Sequence, residues 1–172
     1  MSNNRTEALK QALKMEEDGR SYYNQALEKT KDKMAKWVFK YLIEAEEAHI
    51  KKITQLFKSL EETGKWPDVV LVRDNVKKPR SIFASALNQL DKKVKGTTED
   101  IEALKLALDF EQKGQKYYQA NADTTEDPFE KKFYSLLSHE EGEHFISLLD
   151  TIEYLEDPQG YFSQLERGTL SF

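Results

Sequence analysis

The sequence contains no cysteine, which excludes disulfides, iron–sulfur clusters and thiolate metal sites. It has only three histidines, so a metal ion would be held mainly by carboxylates. No apolar run approaches the roughly 18 residues that a membrane-spanning helix needs. Residues 1–10 also lack the apolar stretch of a signal peptide. We therefore expect a cytoplasmic protein without a membrane partner.

Glycine and proline are scarce too, at 7 and 4 of the 172 residues. So few turn-forming residues favour long helices joined by few loops. The net charge is −5, whereas a nucleic-acid-binding face would be basic. The length suits one domain with a real hydrophobic core. We predict a single domain over residues 1–172 with no nucleic-acid partner.

The chain is an internal duplication. A shift of 95 residues superimposes identical residues on each other: Glu16 on Glu111, Gly19 on Gly114, Tyr23 on Tyr118, Glu46 on Glu141 and His49 on His144. Two copies of one helical hairpin explain this match, because no insertion is needed between the matched positions. We predict repeat halves at about residues 5–63 and 98–158, joined by a crossover at 64–97.

Each half is predicted to form two helices. Apolar residues recur at steps of three and four, which is the period of an amphipathic helix. Gly64 marks the end of the second helix, and Asp127-Pro128 marks the start of the fourth. A crossover that itself contains a short amphipathic helix, Ile82 to Val94, lets the second and third helices run in the same direction. We predict an all-α four-helix bundle of two duplicated hairpins with one long crossover, and a loose tail after Gly160.

Acidic residues in the middle of the apolar stripes are the unusual feature. A buried unpaired charge costs several kcal/mol, so buried acids are paired or bind metal. In Glu-x-x-His, the spacing of three places both side chains on one helix face. Four carboxylates and two imidazoles are the ligands expected for a di-iron or di-manganese site in a bundle. The predicted ligands are Glu16, Glu46, His49, Glu111, Glu141 and His144.

The duplication separates these ligands from polar residues beside them. Glu140 corresponds to Ala45 in the first half, so Glu141 is chosen over Glu140. His139 corresponds to Glu44 and lies on another helix face, so it is predicted not to be a ligand. A single acid or histidine on an apolar stripe is usually a paired core residue, but six related by one offset favour a metal site.

Two repeated pairs accompany the predicted ligands. Tyr23 and Tyr118 lie two turns after the first glutamate of each half, where their hydroxyls could hydrogen-bond ligand carboxylates or their rings could simply pack. Gly19 and Gly114 lie one turn after it, although a mid-helix glycine costs about 1 kcal/mol relative to alanine. These glycines either leave room for oxygen, peroxide or a bridging ligand, or permit close helix packing.

Four motifs carry a resemblance to a known family: Glu16-x-x-Gly19-x-x-Tyr22-Tyr23, Glu46-x-x-His49, Glu111-x-x-Gly114-x-x-Tyr117-Tyr118 and Glu141-x-x-His144. Over about residues 5–160 the chain resembles the rubrerythrin-like branch of the ferritin-like superfamily. The resemblance implies a ferritin-like bundle with two iron ions on the six residues, bridged by the glutamates of the Glu-x-x-His motifs. It also implies reduction of hydrogen peroxide or oxygen, and a homodimer. Manganese stays open, because the ligands suit both metals.

The chain departs from rubrerythrins at two points. Rubrerythrins proper carry a cysteine-ligated rubredoxin domain, so this chain would need an external electron donor such as a rubredoxin-type protein or a reductase. They also carry an extra glutamate where this chain has Gly114, which makes its ligand set more similar to the ferroxidase centre of bacterioferritins. Two alternatives remain: a ferritin-type ferroxidase that stores iron, and a metal-free helical interaction scaffold.

Overall fold

The structure is a computed structural model that describes residues 2–67, 71 and 96–167. The helices within that part are α1 (Ser2–Lys29), α2 (Lys33–Thr63), α3 (Thr98–Thr124), α4 (Pro128–Glu156) and α5 (Pro158–Glu166). The predicted all-α class is confirmed. The short helix predicted between Ile82 and Val94 lies outside the described residues. None of the helices in the described part combines the length and the apolarity that crossing a membrane requires.

Short turns close both hairpins. In the first turn, Asp32 caps α2 by accepting a 2.7 Å hydrogen bond from the backbone N–H of Met34. In the second turn, Asp127 caps α4 by accepting a 2.9 Å hydrogen bond from the backbone N–H of Phe129. The α2 helix ends at Gly64, whose φ of 68° lies in the left-handed region that favours glycine. Such short connections force the two helices of each hairpin to be antiparallel neighbours.

Two tyrosines fix the relative direction of the hairpins. The hydroxyl of Tyr22 donates to the carbonyl of Ala103, and that of Tyr117 donates to the carbonyl of Ala8, both at 2.8 Å. Each bond joins a late part of one helix to an early part of the other, so α1 and α3 are antiparallel. Since α1 is also antiparallel to α2, the α2 and α3 helices run in the same direction. This is the arrangement that the long crossover predicts.

Among the described residues, the core consists of two apolar clusters separated along the bundle axis. One cluster contains Tyr23, Phe39, Leu42, Leu104 and Leu148, and the other contains Leu9, Ile53, Leu56, Phe133 and Leu137. The acidic positions of all four long helices lie between these clusters in sequence: on α2, for example, Glu46 lies between Leu42 and Ile53. Water is therefore excluded from both sides of the acidic layer.

The expectation of a loose tail after Gly160 is wrong for residues 161–166, which belong to α5 (Pro158–Glu166). Pro158 is well suited to the first turn of a helix, where its missing N–H costs nothing. Tyr161 is buried and packs edge-on against Tyr154 of α4, with ring centroids 6.1 Å apart. In the sequence, Gly160 just past Pro158 indicates the end of the fourth helix. In the structure both residues instead lie in the first turn of a new helix that covers the end of the bundle.

Candidate metal centre

The six predicted ligand residues converge at the centre of the bundle, and none is more than 4% exposed. Their ligand atoms form two groups, each lying within 4.8 Å: Glu16, Glu46, His49 and Glu141 in one group, and Glu46, Glu111, Glu141 and His144 in the other. Glu46 and Glu141 belong to both groups. The two shared glutamates could therefore contribute a carboxylate to both metal positions. The role of the six residues as ligands stays a prediction.

The helical repeat explains why these side chains meet. Each Glu-x-x-His motif projects both side chains from one face of α2 or α4. The antiparallel pairing of α1 with α3 brings their single glutamates to the same level. The imidazoles of His49 and His144 lie near each other, with ring centroids 5.7 Å apart and ring planes at 26°. By contrast, the side chain of His139 is 57% exposed, as its position outside the repeat pattern predicts.

The histidine Nδ1 atoms face the carboxylates. Nδ1 of His49 lies 3.2 Å from Oε2 of Glu16, 3.1 Å from Oε1 of Glu141 and 3.6 Å from Oε2 of Glu46. Nδ1 of His144 lies 3.1 Å from Oε2 of Glu111. One Nδ1 carries at most one proton, so it cannot satisfy three carboxylates. The centre thus contains more acceptors than its own protons can serve.

Two carboxylate oxygens show this shortage of hydrogen-bond donors directly. Oε2 of Glu46 and Oε1 of Glu141 are fully buried, and neither accepts a well-aligned hydrogen bond within the described part of the chain. Both lie near Nδ1 of His49, but its one proton cannot be directed at either of them and at Glu16 together. Leaving a buried acceptor unsatisfied costs about 1–3 kcal/mol, and more for a charged group. A divalent cation beside each oxygen removes that cost. Because carboxylate and imidazole donors suit Fe²⁺ and Mn²⁺, these residues fit a pair of such ions.

Burial and mutual repulsion shift the pKa values of the cluster. Burial raises the pKa of Glu46, and the carboxylates of Glu16 and Glu141 raise it further. Burial and then Glu141 raise the pKa of Glu111 to about 8, although His144 opposes the shift. Burial alone would lower the pKa of His144, but Glu111 and Glu141 outweigh it and raise the pKa to about 10. Without metal, the centre therefore holds protons at neutral pH.

We expect the metal-free protein to lose stability as the pH rises from about 5 to about 10. The folded-state pKa of Glu111, about 8, exceeds its ordinary value of 4.5. The folded state therefore binds more protons than the unfolded chain between these values, and a rising pH favours unfolding. The raised pKa of His144 adds stability below pH 6.5 that is lost as the pH passes about 10. Urea unfolding in the presence of a chelator, at several pH values, measures the trend.

The metal-loaded protein is the control for this measurement. Bound cations replace the protons, so its stability should depend far less on pH over the same range. A metal-free protein that is equally stable at pH 6 and pH 9 would contradict a protonated centre.

Tyr23 and Tyr118 donate hydrogen bonds across the bundle. The hydroxyl of Tyr23 donates to Oε1 of Glu111 at 2.5 Å, and the hydroxyl of Tyr118 donates to Oε1 of Glu16. Burial and the nearby carboxylates raise the pKa of both tyrosines, so the hydroxyls keep their protons. Hydrogen bonding is thus favoured over packing alone. That Tyr23 and Tyr118 act in catalysis, by tuning the ligand carboxylates, stays a prediction. The sequence did not show that each acceptor would lie on the opposite helix.

Glu140 is a buried acid that sequence reasoning set aside. Its Oε2 lies 3.2 Å from Nε2 of His49 and 3.8 Å from Nζ of Lys52. The side chain thus lies behind the imidazole, on the side away from the predicted metal. The repeat criterion accepts only residues that occur in both halves. Glu140 fails this criterion because its counterpart is Ala45. The available signal was its position directly before Glu141 on a buried face.

A cavity of about 120 Å³ lies between α1 and α3, beside the centre. Its lining contains five pairs of repeat counterparts: Met15 and Phe110, Glu16 and Glu111, Asp18 and Lys113, Gly19 and Gly114, and Glu46 and Glu141. A Cβ on Gly114 would lie 3.4 Å from Cγ of Glu141, and one on Gly19 would lie 3.8 Å from Oε1 of Glu46. Both glycines therefore face ligand side chains rather than a neighbouring backbone. This favours the interpretation that they leave room at the centre.

Comparison with known proteins gave one family match. A family model described as Rubrerythrin matches residues 7–101, which is more than half of the chain. The match runs from α1 to the start of α3 and includes Glu16 and the first Glu-x-x-His motif. The second repeat supplies the corresponding residues at the constant offset. No curated protein and no solved structure gave a match.

Proposed function

Because the chain belongs to the rubrerythrin family, we propose that it is a di-iron redox protein that reduces hydrogen peroxide or oxygen with electrons from a separate carrier. The observation that carries this proposal is the pair of four-atom ligand groups that share Glu46 and Glu141. Each shared glutamate also has a buried oxygen that accepts no well-aligned hydrogen bond within the described part of the chain. When bound, the two iron ions would supply the two electrons that cleave an O–O bond.

The charges of the centre suit this chemistry. Four carboxylates offset the four positive charges of two divalent ions, so a filled centre is nearly neutral before oxidation. Glu46 and Glu141 would bridge the ions, while Glu16 with His49 and Glu111 with His144 would each hold one. A low-dielectric surrounding strengthens these interactions, because both neighbouring layers are apolar.

Tyr118 and Tyr23 orient Glu16 and Glu111, the two glutamates that would each hold one ion. Tyr118 binds Oε1 of Glu16, and this leaves Oε2 facing Nδ1 of His49 at 3.2 Å. Tyr23 does the same for Glu111, whose Oε2 faces Nδ1 of His144 at 3.1 Å. One oxygen of Glu16 and one of Glu111 thus accept a hydrogen bond from the tyrosine of the opposite hairpin. The other oxygen of each faces the imidazole with which it would hold a metal ion.

The cavity supports a small substrate. Its volume of about 120 Å³ is below the roughly 300–1,000 Å³ of pockets that bind organic ligands. Peroxide or oxygen fits there together with a few water molecules. Gly19 and Gly114 keep the space open next to the shared glutamates, so a substrate in the cavity would meet the centre directly.

The proposed electrons come from outside these 172 residues. Without cysteine the chain holds no rubredoxin-type or iron–sulfur centre. The proposal therefore includes an external donor, either a rubredoxin-type protein or a reductase. A cytoplasmic homodimer belongs to the same proposal.

Anaerobic reconstitution with ferrous iron tests the proposal. One hydrogen peroxide should oxidise two bound ferrous ions, taking up two protons and releasing two water molecules. Remaining ferrous iron is measured with a colour-forming chelator, and remaining peroxide by a coupled assay. Renewed reduction should restore the reaction. Iron uptake far beyond about two ions per chain, with a large shell on gel filtration, would support iron storage instead, and an inert iron-loaded protein would refute the redox function.

A further inference from the structure

A charged pair, Glu140 and Lys52, lies directly behind His49. Oε2 of Glu140 is 3.2 Å from Nε2 of His49 and 3.8 Å from Nζ of Lys52. The side chains of Glu140 and Lys52 are only 9% and 16% exposed. Since Nδ1 of His49 faces the predicted ligand carboxylates, it is the nitrogen that would bind a metal ion. Nε2 would then carry the ring proton and donate a hydrogen bond to Oε2 of Glu140.

The duplication provides an internal comparison for this pair. At the corresponding positions around His144, Ala45 replaces Glu140 and Ser147 replaces Lys52. The negative charge of Glu140 and the positive charge of Lys52 thus both have no counterpart beside His144. The ring of Tyr41 packs edge-on against His144 there, with centroids 5.5 Å apart. The six ligands are the same type in both halves, but the groups behind the two imidazoles differ.

This difference has a direct chemical effect. A carboxylate that accepts the outer N–H of an imidazole fixes the ring orientation and raises its basicity as a ligand. Removing such a partner typically lowers metal affinity 10–100-fold. Lys52 offsets the additional negative charge of Glu140, so the pair supports His49 without adding a fifth net charge to the centre.

We propose that the two metal positions are inequivalent, and that the position served by Glu16 and His49 fills first because Glu140 and Lys52 back its imidazole. The inference rests on the proposed function only in requiring that the centre binds two metal ions. Glu140 is then a positioning residue, which acts on the metal through His49.

Stepwise titration of the metal-free protein with Co²⁺ tests the inference, with visible absorption and calorimetry reporting each step. We expect two steps in the wild-type protein. In Glu140→Ala the tighter step should weaken about 10–100-fold while the weaker step hardly changes, so that the steps approach each other. Glu140→Gln keeps an acceptor and should give an intermediate loss, which a purely structural role would not produce.

An exposed pair provides the matched control. Glu47 lies beside Glu46, is 49% exposed and contacts Lys51 at 3.3 Å. Glu47→Ala removes the same charge from a glutamate–lysine pair that does not touch either imidazole. Both Co²⁺ steps should remain at their wild-type affinities in this variant.

Two steps in the wild-type protein alone do not show that the positions differ, because repulsion between two bound ions would separate even two equal positions into two steps. The effect of Glu140→Ala on the tighter step therefore decides between these explanations. Equal steps in the wild-type protein, an unchanged tighter step in Glu140→Ala, or an effect on the weaker step would overturn the inference and leave the proposed function standing. A protein that binds no Co²⁺, Mn²⁺ or Fe²⁺ would instead overturn the proposed function.

Discussion

The double variant Glu46→Ala/Glu141→Ala should lose both metal ions, where the wild-type protein is expected to bind about two per chain. Each shared glutamate contributes to both ligand groups, so removing the two leaves each position with one carboxylate and one imidazole. Elemental analysis of protein reconstituted with Fe²⁺ or Mn²⁺ measures the loss. Thermal unfolding provides a second measurement. At a metal concentration of 100 times Kd, each filled site stabilises the wild-type protein by about 2.7 kcal/mol, or about 5–10 °C in Tm.

The control changes the neighbouring acids on the same two helices. Glu47→Ala/Glu143→Ala removes the same charge, but these side chains are 49% and 33% exposed. It should retain the metal content and the metal-dependent gain in Tm. If the wild-type protein contains little metal after reconstitution, or the double variant binds as much as the control, the six residues are not a metal centre. A metal-free helical scaffold would then be the better description.

Filling the cavity should block the reaction with peroxide. In Gly114→Leu, the new side chain starts from a Cβ only 3.4 Å from Cγ of Glu141 and extends into a space of about 120 Å³. A substrate displaced by even about 1 Å can react roughly 100-fold more slowly. We expect the oxidation of bound ferrous iron by peroxide to slow by about that factor. Stopped-flow measurement on protein of known iron content measures the rate.

Gly19→Ala is the matched control for the cavity variant. Its Cβ would meet Cε2 of Tyr23 at 3.7 Å and Oε1 of Glu46 at 3.8 Å, which are ordinary contacts. The variant should react at nearly the wild-type rate and gain up to about 1 kcal/mol of stability, because alanine favours a helix over glycine. If Gly114→Leu binds iron and reacts as fast as the wild-type protein, the substrate reaches the centre by another route.

The general architecture could be predicted because the sequence repeats itself. The constant offset identified two equal hairpins, and the long crossover between them required α2 and α3 to be parallel. Local signals such as Asp127-Pro128 and Gly64 were sufficient for the helix ends, since caps act within one turn. The α5 helix was missed because Pro158 and Gly160 are stop signals when the aromatic contacts of Tyr161 are unknown.

The candidate centre was predictable to the extent that it is symmetric. The six residues that the structure brings together all recur at the same offset. Glu140 does not recur, so a criterion based on repetition could not find it, and only the distance to His49 reveals its role. The acceptors of Tyr23 and Tyr118 could not be predicted either, because the sequence places each tyrosine near the glutamate of its own helix. The bonds instead depend on how the hairpins pack.

The crossed hydrogen bonds from Tyr23 to Glu111 and from Tyr118 to Glu16 have an evolutionary consequence. Neither hairpin can complete the centre alone, so an ancestral single hairpin would have formed it only by pairing with a second copy. Joining the copies made that association intramolecular, which raises the effective concentration of one hairpin at the other. Fusion also removed the requirement for identity between the copies. The second half has Glu140 where the first half has Ala45. Two identical hairpins could not have acquired this difference.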